Sequence, residues 1–417
     1  MLRYRSYHAG CDEGLFLQSI SSAFHGFHNT PEGASHFAYH FSPILYVLAF
    51  PVWIWKSAVV LIVAQAVAGS LTIPPIYRIA RGRLPTLPSA LVTVVAALYP
   101  PLGGVSFTDF SENAFAPAAV AWLLWAIDAR KMVPAIVSAL VCLSIKEDQA
   151  ITLALVGFAG GAYFYQRKDR KWALYSLSLA CISILVFAFY LKVVRPAAGV
   201  WYGYPSFRDF YGGVNPIPLI PSLFTAPKLA YLLTALLPLL GICLLSRCMI
   251  LAIPGLLECL LSKVPVAYTI GEHYPAIWVP YVLVAFAIGA SVVWRRSSRA
   301  AYEALALAVA VGLYINILAS PNQWSGSISP ETSDQNMLDR FEARLPVAAS
   351  VTSFCWVYAH LGMHPNATVY AQSPTRFVII YSGRDSPDWV SKERVYVAGS
   401  RKYHTIEKTD GLEIYER

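Results

Sequence analysis

The chain has 417 residues, of which 56% are hydrophobic and 13% are charged, whereas a soluble globular domain carries about 25% charged residues. So little charge cannot cover the surface of a soluble protein of this length, which excludes a soluble enzyme. The formal net charge of +8 does not indicate a nucleic-acid partner, because the basic residues lie between apolar blocks and not in runs interleaved with exposed aromatic residues.

A helical pattern begins near the start of the chain, directly after the acidic pair Asp12 and Glu13. Apolar residues recur there at helical spacing with polar residues on the opposite face, which predicts an amphipathic helix on the outer membrane surface. The next apolar block, residues 36–55, contains two prolines and is interpreted as an outer interfacial segment, so residues 1–56 form a predicted outer region. The apolar stripe consists of Phe16, Ile20, Phe24 and Phe27.

Residues 57–320 are predicted to form a transmembrane domain of about ten helices, because apolar blocks of roughly 20 residues suit a hydrocarbon layer of about 30 Å. The blocks are Ser57–Tyr77, Pro88–Gly103, Ala114–Ile127, Met132–Ile145, Gln149–Tyr165, Trp172–Val194, Leu229–Ser246, Cys248–Leu261, Pro275–Trp294 and Ala301–Ala319.

Basic residues occupy every second connection between these blocks, which indicates that those connections face the cytoplasm. The remaining connections hold nearly all the acidic and histidine residues of the membrane part, so we expect them on the extracytoplasmic face of the plasma or inner membrane. The basic residues are Arg78, Arg81, Arg83, Arg130, Lys131, Arg167, Lys168, Arg170, Lys171, Arg247, Arg295, Arg296 and Arg299.

Residues 321–417 are polar and contain short strand-like runs separated by turn residues, which predicts a small extracytoplasmic α/β domain. The runs are Thr368–Ala371, Phe377–Tyr381 and Leu412–Tyr415. The seven cysteines form no CxxC pair and lie mostly inside apolar blocks, which indicates buried small hydrophobic residues and not a disulfide or metal framework.

Two acidic pairs in the predicted outer connections are candidate site residues. Asp12 or Glu13 could accept a proton or bind a divalent metal, although acidic residues also stabilise a helix N-terminus. Asp109 and Glu112, three residues apart, could converge on one cation, although capping of the following helix is a sufficient explanation for them.

The remaining candidates are more widely spaced. Lys146, Glu147 and Asp148 stand between two apolar blocks with almost no loop, which favours either a functional site or a self-paired turn. Glu272, His273 and Tyr274 form another polar group, and His36 and His40 lie in the first outer region, where a lone histidine is more often a structural hydrogen-bonding residue. Arg208 lies in an aromatic-rich loop that could cover a sugar or lipid headgroup, with its guanidinium available to a phosphate.

The order of these motifs resembles the predicted membrane proteins of domain-of-unknown-function family 2079. The resemblance runs from about Asp12 to Trp294 and includes the tail from Leu345. It is carried by DEGLFLQ at 12–18, HFSP at 40–43, Gln65 before IYRIAR at 76–81, DFSE at 109–112, KED at 146–148 and HY at 273–274.

That family is similar to the GT-C superfamily of membrane glycosyltransferases, which implies an all-α polytopic fold with outer interfacial helices. The resemblance implies a donor sugar linked to polyprenyl phosphate and a catalytic acid in the first outer loop, a position that Asp12 matches and for which Glu13 is the substitute. Asp109 and Glu112 would then hold a divalent metal, Mg²⁺ or Mn²⁺, while Lys146, Glu147, Asp148, Arg208, His273, Tyr274 and His40 would bind the substrate.

Two features depart from the family pattern. Ser111 stands where the family usually has histidine, which removes a possible metal ligand. Relatives also begin with a transmembrane helix ahead of the acid, and this chain shows none there, so we expect that the reading frame starts too late. The alternatives are a transporter or lipid-handling protein without covalent chemistry, and a scaffold whose tail binds a partner. A transporter would place ionisable residues near the bilayer midplane, often with repeat symmetry, and neither is visible in the sequence.

Overall fold

A helical bundle dominates the computed structural model, which describes residues 2–199, 210–211, 221–319, 332–369, 374–400 and 402–417. The predicted blocks at 132–145 and 149–165 correspond to helices Met132–Ile145 and Glu147–Gln166. The other described α-helices are Leu2–Arg5, Cys11–Ser21, Leu45–Trp55, Val59–Leu71, Ile73–Arg81, Thr86–Ala97, Pro100–Phe107, Ala116–Asp128, Arg170–Phe189, Arg195–Ala198, Ala226–Leu236, Ile253–Leu261, Val279–Arg296, Ser298–Tyr314, Ser333–Glu342, Cys355–Tyr358 and Pro387–Ser400.

Shorter helical turns join these elements. Two are π-helical, Tyr190–Val194 and Ile315–Ala319, and continue long helices. The 3₁₀ turns are Ala23–His25, His36–Ala38, Glu112–Phe115, Pro221–Phe224, Leu237–Leu239, Ile242–Leu245, Arg247–Ala252, Pro265–Tyr268 and Tyr274–Ile277.

Fewer helices than predicted are long and apolar enough to cross a membrane. Within the described ranges there are four, or five if a pair bent by 47° counts as one span. The predicted blocks at 229–246 and 248–261 break into short helices and 3₁₀ turns around Pro238 and around Leu240 and Gly241, which are both left-handed. The four spans are Val59–Arg81, Arg170–Ala198, Val279–Arg296 and Ser298–Leu318, and the bent pair is Thr86–Ala97 with Pro100–Phe107.

The helices Glu147–Gln166 and Arg170–Phe189 pack closely against each other. A Cβ at Gly157 would lie 2.6 Å from the backbone nitrogen of Ala180 and from the carbonyl oxygen of Ser176. Small residues of this kind let helix backbones approach closely where lipid supplies no hydrophobic driving force.

The C-terminal region forms a five-stranded mixed sheet, as the strand-like runs predict. Its strands are β3 (Val351–Ser353), β4 (Ala367–Thr368), β5 (Phe377–Ile380), β6 (His404–Lys408) and β7 (Glu413–Glu416). The strand order is β4-β3-β5-β7-β6, with β3 parallel to β4 and β5, and β7 antiparallel to β5 and β6. A separate antiparallel hairpin, β1 (His28–Asn29) with β2 (Ala34–Ser35), lies in the first outer region.

The helix Cys11–Ser21 does not have the continuous exposed polar face that the predicted amphipathic helix would have. Phe16 and Ile20 are buried, but Gln18 on the polar face is also only 2% exposed. The Gln18 side chain donates to the carbonyl oxygens of His364 (2.9 Å) and Ala367 (3.2 Å), so the polar face packs against the C-terminal domain. Helical periodicity identified the stripe, but it carries no information about what covers the opposite face.

The bundle has chemically distinct ends. Arg83 donates to Asp128 at 2.8 Å, and Arg130 lies 3.5 Å from Asp169, so the predicted cytoplasmic connections meet each other. The helix Glu147–Gln166 leads from this end to the polar turn at Lys146, a distance of about 30 Å at the usual rise per residue. The basic turns and the acidic connections therefore lie at opposite ends of the helices.

Candidate active site

The N-terminus of the helix Cys11–Ser21 carries Asp12 and Glu13 into the interior. Glu13 is 2% exposed, and its Oε2 accepts the backbone N–H of Phe110 at 3.0 Å, which ties this helix to the connection 108–115. Its Oε1 is buried and has no hydrogen-bond partner among the described residues. Burial raises the pKa of Glu13 to about 8, against the opposing effect of the Phe110 N–H.

Asp12 lies among several other carboxylates. Burial raises its pKa, and the negative charges of Asp109, Glu112, Glu272 and Glu32 raise it further, to about 7. A carboxyl with this pKa exchanges its proton near neutral pH, which is the property that a general base or acid needs.

Asp109 and Glu112 have different partners. Asp109 accepts the backbone N–H of Gly10 at 2.8 Å and lies 3.6 Å from the guanidinium of Arg3. Burial alone would raise the pKa of Glu112, but the positive charges of Lys146 and the nearby histidines lower it, so Glu112 is an anion. Asp109 therefore faces the N-terminal segment, and Glu112 faces the lysine.

The turn at Lys146 is self-paired, as one of the two interpretations of the sequence predicts, and it is also bound to the first outer region. The Lys146 Nζ lies 3.5 Å from Asp148, and both residues are largely buried. Glu147 is bound from the first outer region, because the Phe41 N–H donates to its Oε2 at 2.8 Å and the Nδ1 of His40 lies 3.0 Å from its Oε1.

His273 and Tyr274 complete the arrangement. Their rings stack with centroids 4.3 Å apart, and the charges of Asp12 and Lys146 act on Tyr274 in opposite directions. Burial and the charge of Lys146 lower the pKa of His273 to about 4, so His273 is neutral at physiological pH and offers a hydrogen bond but no positive charge.

The structure thus brings ten of the predicted site residues into one group, called here the polar cluster. Arg208 lies outside the described residues. Two aromatic residues of the same loop are described, Phe210 and Tyr211, and the ring centroid of Phe210 lies 6.3 Å from that of Tyr274. The polar cluster consists of Asp12, Glu13, His40, Asp109, Glu112, Lys146, Glu147, Asp148, His273 and Tyr274.

The two residues of the predicted metal pair have separate partners. Asp109 accepts from the Gly10 N–H and lies near Arg3, whereas the charge of Lys146 acts on Glu112. Across the described ranges, no three His, Cys, Asp or Glu side chains are grouped so that they could hold a metal ion, and the metal role of the pair stays a prediction. No step proposed below passes through a metal.

Sequence reasoning missed three features of this region. Cys11 and Cys355 form a disulfide, so the interpretation of all seven cysteines as small hydrophobic residues is wrong for this pair. Arg3 was not singled out, and Glu32 was not recognised as the partner of His36, whose Nδ1 lies 3.0 Å from Glu32 Oε1. Residues 32–36 cross a hairpin turn and a strand, so the i, i+4 rule for helices gives no signal for this pair.

Comparisons with known proteins agree with the fold. Two crystal structures of ArnT from Cupriavidus metallidurans are similar over 98% of this chain and 93% of theirs: one bound to undecaprenyl phosphate (TM-score 0.62, 12% identity), the other in the apo state (0.59, 10%). The chain therefore shares the fold of these two structures. No curated protein matches the chain in sequence. The family model described as "Predicted membrane protein (DUF2079)" matches residues 3–344, and the chain therefore belongs to this family.

Proposed function

We propose that this membrane protein is a GT-C-like glycosyltransferase, which moves a sugar from a polyprenyl-phosphate carrier to an acceptor hydroxyl on the extracytoplasmic face. The polar cluster carries this proposal, because it combines an acid whose pKa is about 7, Asp12, with a buried ammonium group, Lys146, at one end of an apolar bundle. The fold is shared with a protein that was crystallised with undecaprenyl phosphate, which supports a carrier of this class.

In the transfer step Asp12 accepts a proton and Lys146 stabilises a negative charge. The acceptor oxygen attacks the anomeric carbon and forms the new glycosidic bond while the bond from that carbon to the phosphate oxygen breaks. Asp12 takes the proton of the acceptor hydroxyl, and the polyprenyl phosphate leaves with the bonding electron pair. Lys146 stabilises the negative charge that develops on the departing phosphate, which matters most in a buried, weakly screened site.

The other residues of the polar cluster have supporting roles in this proposal. Glu147 holds His40 and the Phe41 backbone, which fixes the outer region against the lysine turn. Neutral His273 and Tyr274 are placed to donate hydrogen bonds to the sugar, and Arg208 is proposed as a further phosphate ligand. Glu13 and Asp109 fix the position of the helix that carries Asp12.

Two observations support an extracytoplasmic location for the polar cluster. The basic turns lie at the opposite end of the helices, and the positive-inside rule favours a cytoplasmic location for that end. The disulfide between Cys11 and Cys355 adjoins Asp12, and such bonds persist in oxidising compartments outside the cytoplasm.

The proposal is tested by incubating the purified protein with undecaprenyl-phosphate sugars and membrane-lipid acceptors, then measuring released undecaprenyl phosphate by mass spectrometry. We expect release by the wild type and a loss of about 10²- to 10⁴-fold in Asp12→Asn, the usual contribution of a positioned base. Glu303→Gln is the matched control, because Glu303 is exposed and pairs with Arg299 away from the polar cluster. Equal rates in Asp12→Asn and Glu303→Gln would remove Asp12 from the mechanism.

A further inference from the structure

The first outer region contains a buried histidine–carboxylate pair that the transfer step above does not use. Glu32 lies in the turn between β1 and β2, where its N–H donates to Asn29 Oδ1 at 2.8 Å and its carboxylate accepts from the same side chain. The Asn29 amide also donates to Ser19 at 2.9 Å, which ties the turn to the helix Cys11–Ser21. The position of Glu32 is therefore fixed by contacts that do not involve His36.

His36 is held through one ring nitrogen and is free at the other. Its Nδ1 lies 3.0 Å and 3.1 Å from the two carboxylate oxygens of Glu32, and both side chains are almost completely buried, at 2% and 1% exposure. Its Nε2 is also buried and has no hydrogen-bond partner among the residues that the structure describes. A buried donor without an acceptor is costly, so such a group in a native protein points to a missing partner.

The ring of His36 adjoins residues of the polar cluster. Its ring packs edge-on against Phe16 (centroids 5.1 Å apart), one helical turn after Asp12, and against His40 (5.7 Å). The charge of His36 acts on Glu112, and the charge of Glu32 acts on Asp12. Since Glu32 occupies Nδ1, Nε2 is the nitrogen that can reach a ligand there.

The protonation state of His36 suits an anionic ligand. Burial alone would lower its pKa, but the carboxylate of Glu32, by charge and by hydrogen bond, raises it above the usual value, helped by Glu112 and Glu147. Among the described residues, these three carboxylates act on the ring by charge, and His40 contacts it. Both ring nitrogens of an imidazolium are donors, so Nε2–H requires an acceptor.

We propose that the Nε2–H of His36 donates a hydrogen bond to a phosphate oxygen of the polyprenyl carrier, opposite the contact from Lys146. This inference rests on the proposed function and deepens it: His36 is a second cationic ligand of the departing phosphate, and Glu32 is its positioning residue. No described side chain accepts a hydrogen bond from Nε2, whereas a phosphate brings free oxygens of its own to this donor.

Two variants of His36 separate binding from folding. The amide nitrogen of His36→Asn takes the place of Nδ1 and keeps the contact with Glu32, but it removes the donor at Nε2. The amide of His36→Gln reaches the position of Nε2 and supplies a neutral donor there. His25→Asn is the control, because His25 lies on the same outer region and is exposed.

The test measures equilibrium binding of undecaprenyl phosphate, without sugar, to the full-length protein in nanodiscs. We expect His36→Asn to bind about tenfold or more weakly than the wild type, as for loss of a hydrogen bond between charged groups, and His36→Gln to lose less. The affinity ratio of wild type to His36→Gln should fall as pH rises through the pKa of His36, whereas a structural role alone gives no such dependence. In Glu32→Gln this fall should move to lower pH, because the raising carboxylate is gone.

The outcomes distinguish this inference from the function on which it rests. If the wild type does not bind undecaprenyl phosphate, both fail. If the wild type and His36→Asn bind it equally while transfer still requires Asp12, the role of His36 is refuted and the function stands. Inorganic phosphate as a competitor shows whether the site recognises phosphate alone or the lipid-linked phosphate. If it displaces undecaprenyl phosphate from the wild type but not from His36→Asn, the site binds phosphate itself. If it displaces the lipid from neither protein, the site is restricted to the lipid-linked form. Either result, together with the weaker binding by His36→Asn, supports the contact.

Discussion

The disulfide between Cys11 and Cys355 joins the helix that carries Asp12 to the C-terminal domain, 344 residues further along the chain. We predict that Cys355→Ser destabilises the protein. By the chain-entropy relation, opening a loop of this length would lower the free energy of unfolding by about 6 kcal/mol, and native disulfides typically contribute about 2–5 kcal/mol. We expect a decrease of about 2–5 kcal/mol in the free energy of unfolding, because the apolar helices keep part of the chain ordered when the C-terminal domain unfolds.

Thermal unfolding of the purified protein, followed by intrinsic fluorescence, measures this effect. The melting temperature should fall by several degrees in Cys355→Ser, and the same fall should appear in the wild type after reduction. Cys181→Ser is the control, because Cys181 is an exposed, unpaired cysteine. The stabilising role of the disulfide is refuted if alkylation under non-reducing conditions labels Cys11 and Cys355, or if reduction leaves the melting temperature unchanged.

Three further predictions concern the helix Cys11–Ser21. Transfer should rise with pH around an apparent pKa of about 7, because Asp12 is a base only when deprotonated, and a pH–rate profile that is flat from pH 5 to 9 would contradict this. The raised pKa of Glu13, about 8 against 4.5 in the unfolded chain, contributes stability that is present below pH 4.5 and is lost as pH rises through 8. Glu13→Gln should therefore stabilise the protein by a few kcal/mol at pH 9 and little at pH 5, measured as the difference in melting temperature between the two pH values. In Gly14→Ala the new Cβ would lie 2.5 Å from the carbonyl oxygen of Tyr358, so this variant should lower the melting temperature and the transfer rate, whereas Gly399→Ala, which meets nothing within 4 Å, should change neither.

The sequence predicted the helices best where an apolar block was uninterrupted. The block at 132–145 coincides with a helix, and the basic turns at 83 and 130 pair with residues of neighbouring turns, as a common side of the membrane requires. The prediction was poorest where proline, glycine or left-handed residues divide an apolar run, as around Pro238 and Gly241, because composition alone does not locate a break.

The site was predictable in its residues but not in its pairings. The acidic, lysine and histidine motifs of the outer connections converge, since connections on one side of a bundle end near one another. What each side chain contacts depends on long-range packing: Gln18 binds the C-terminal domain, Cys11 is bonded to Cys355, and Asp109 turns to Gly10. None of these contacts leaves a periodic signal in the sequence, and all three involve elements far apart in the chain.

The proposed transfer requires the lipid phosphate to bind in the polar cluster. A cryo-electron microscopy structure of the protein with undecaprenyl phosphate, in nanodiscs and with a bound antibody fragment, tests this most directly. We predict that the phosphate lies within about 3.5 Å of Lys146 Nζ and of His36 Nε2, on the side of the cluster that Asp12 faces. A phosphate at the end of the bundle that carries Arg83 and Arg130, or one out of reach of Lys146, would contradict the account.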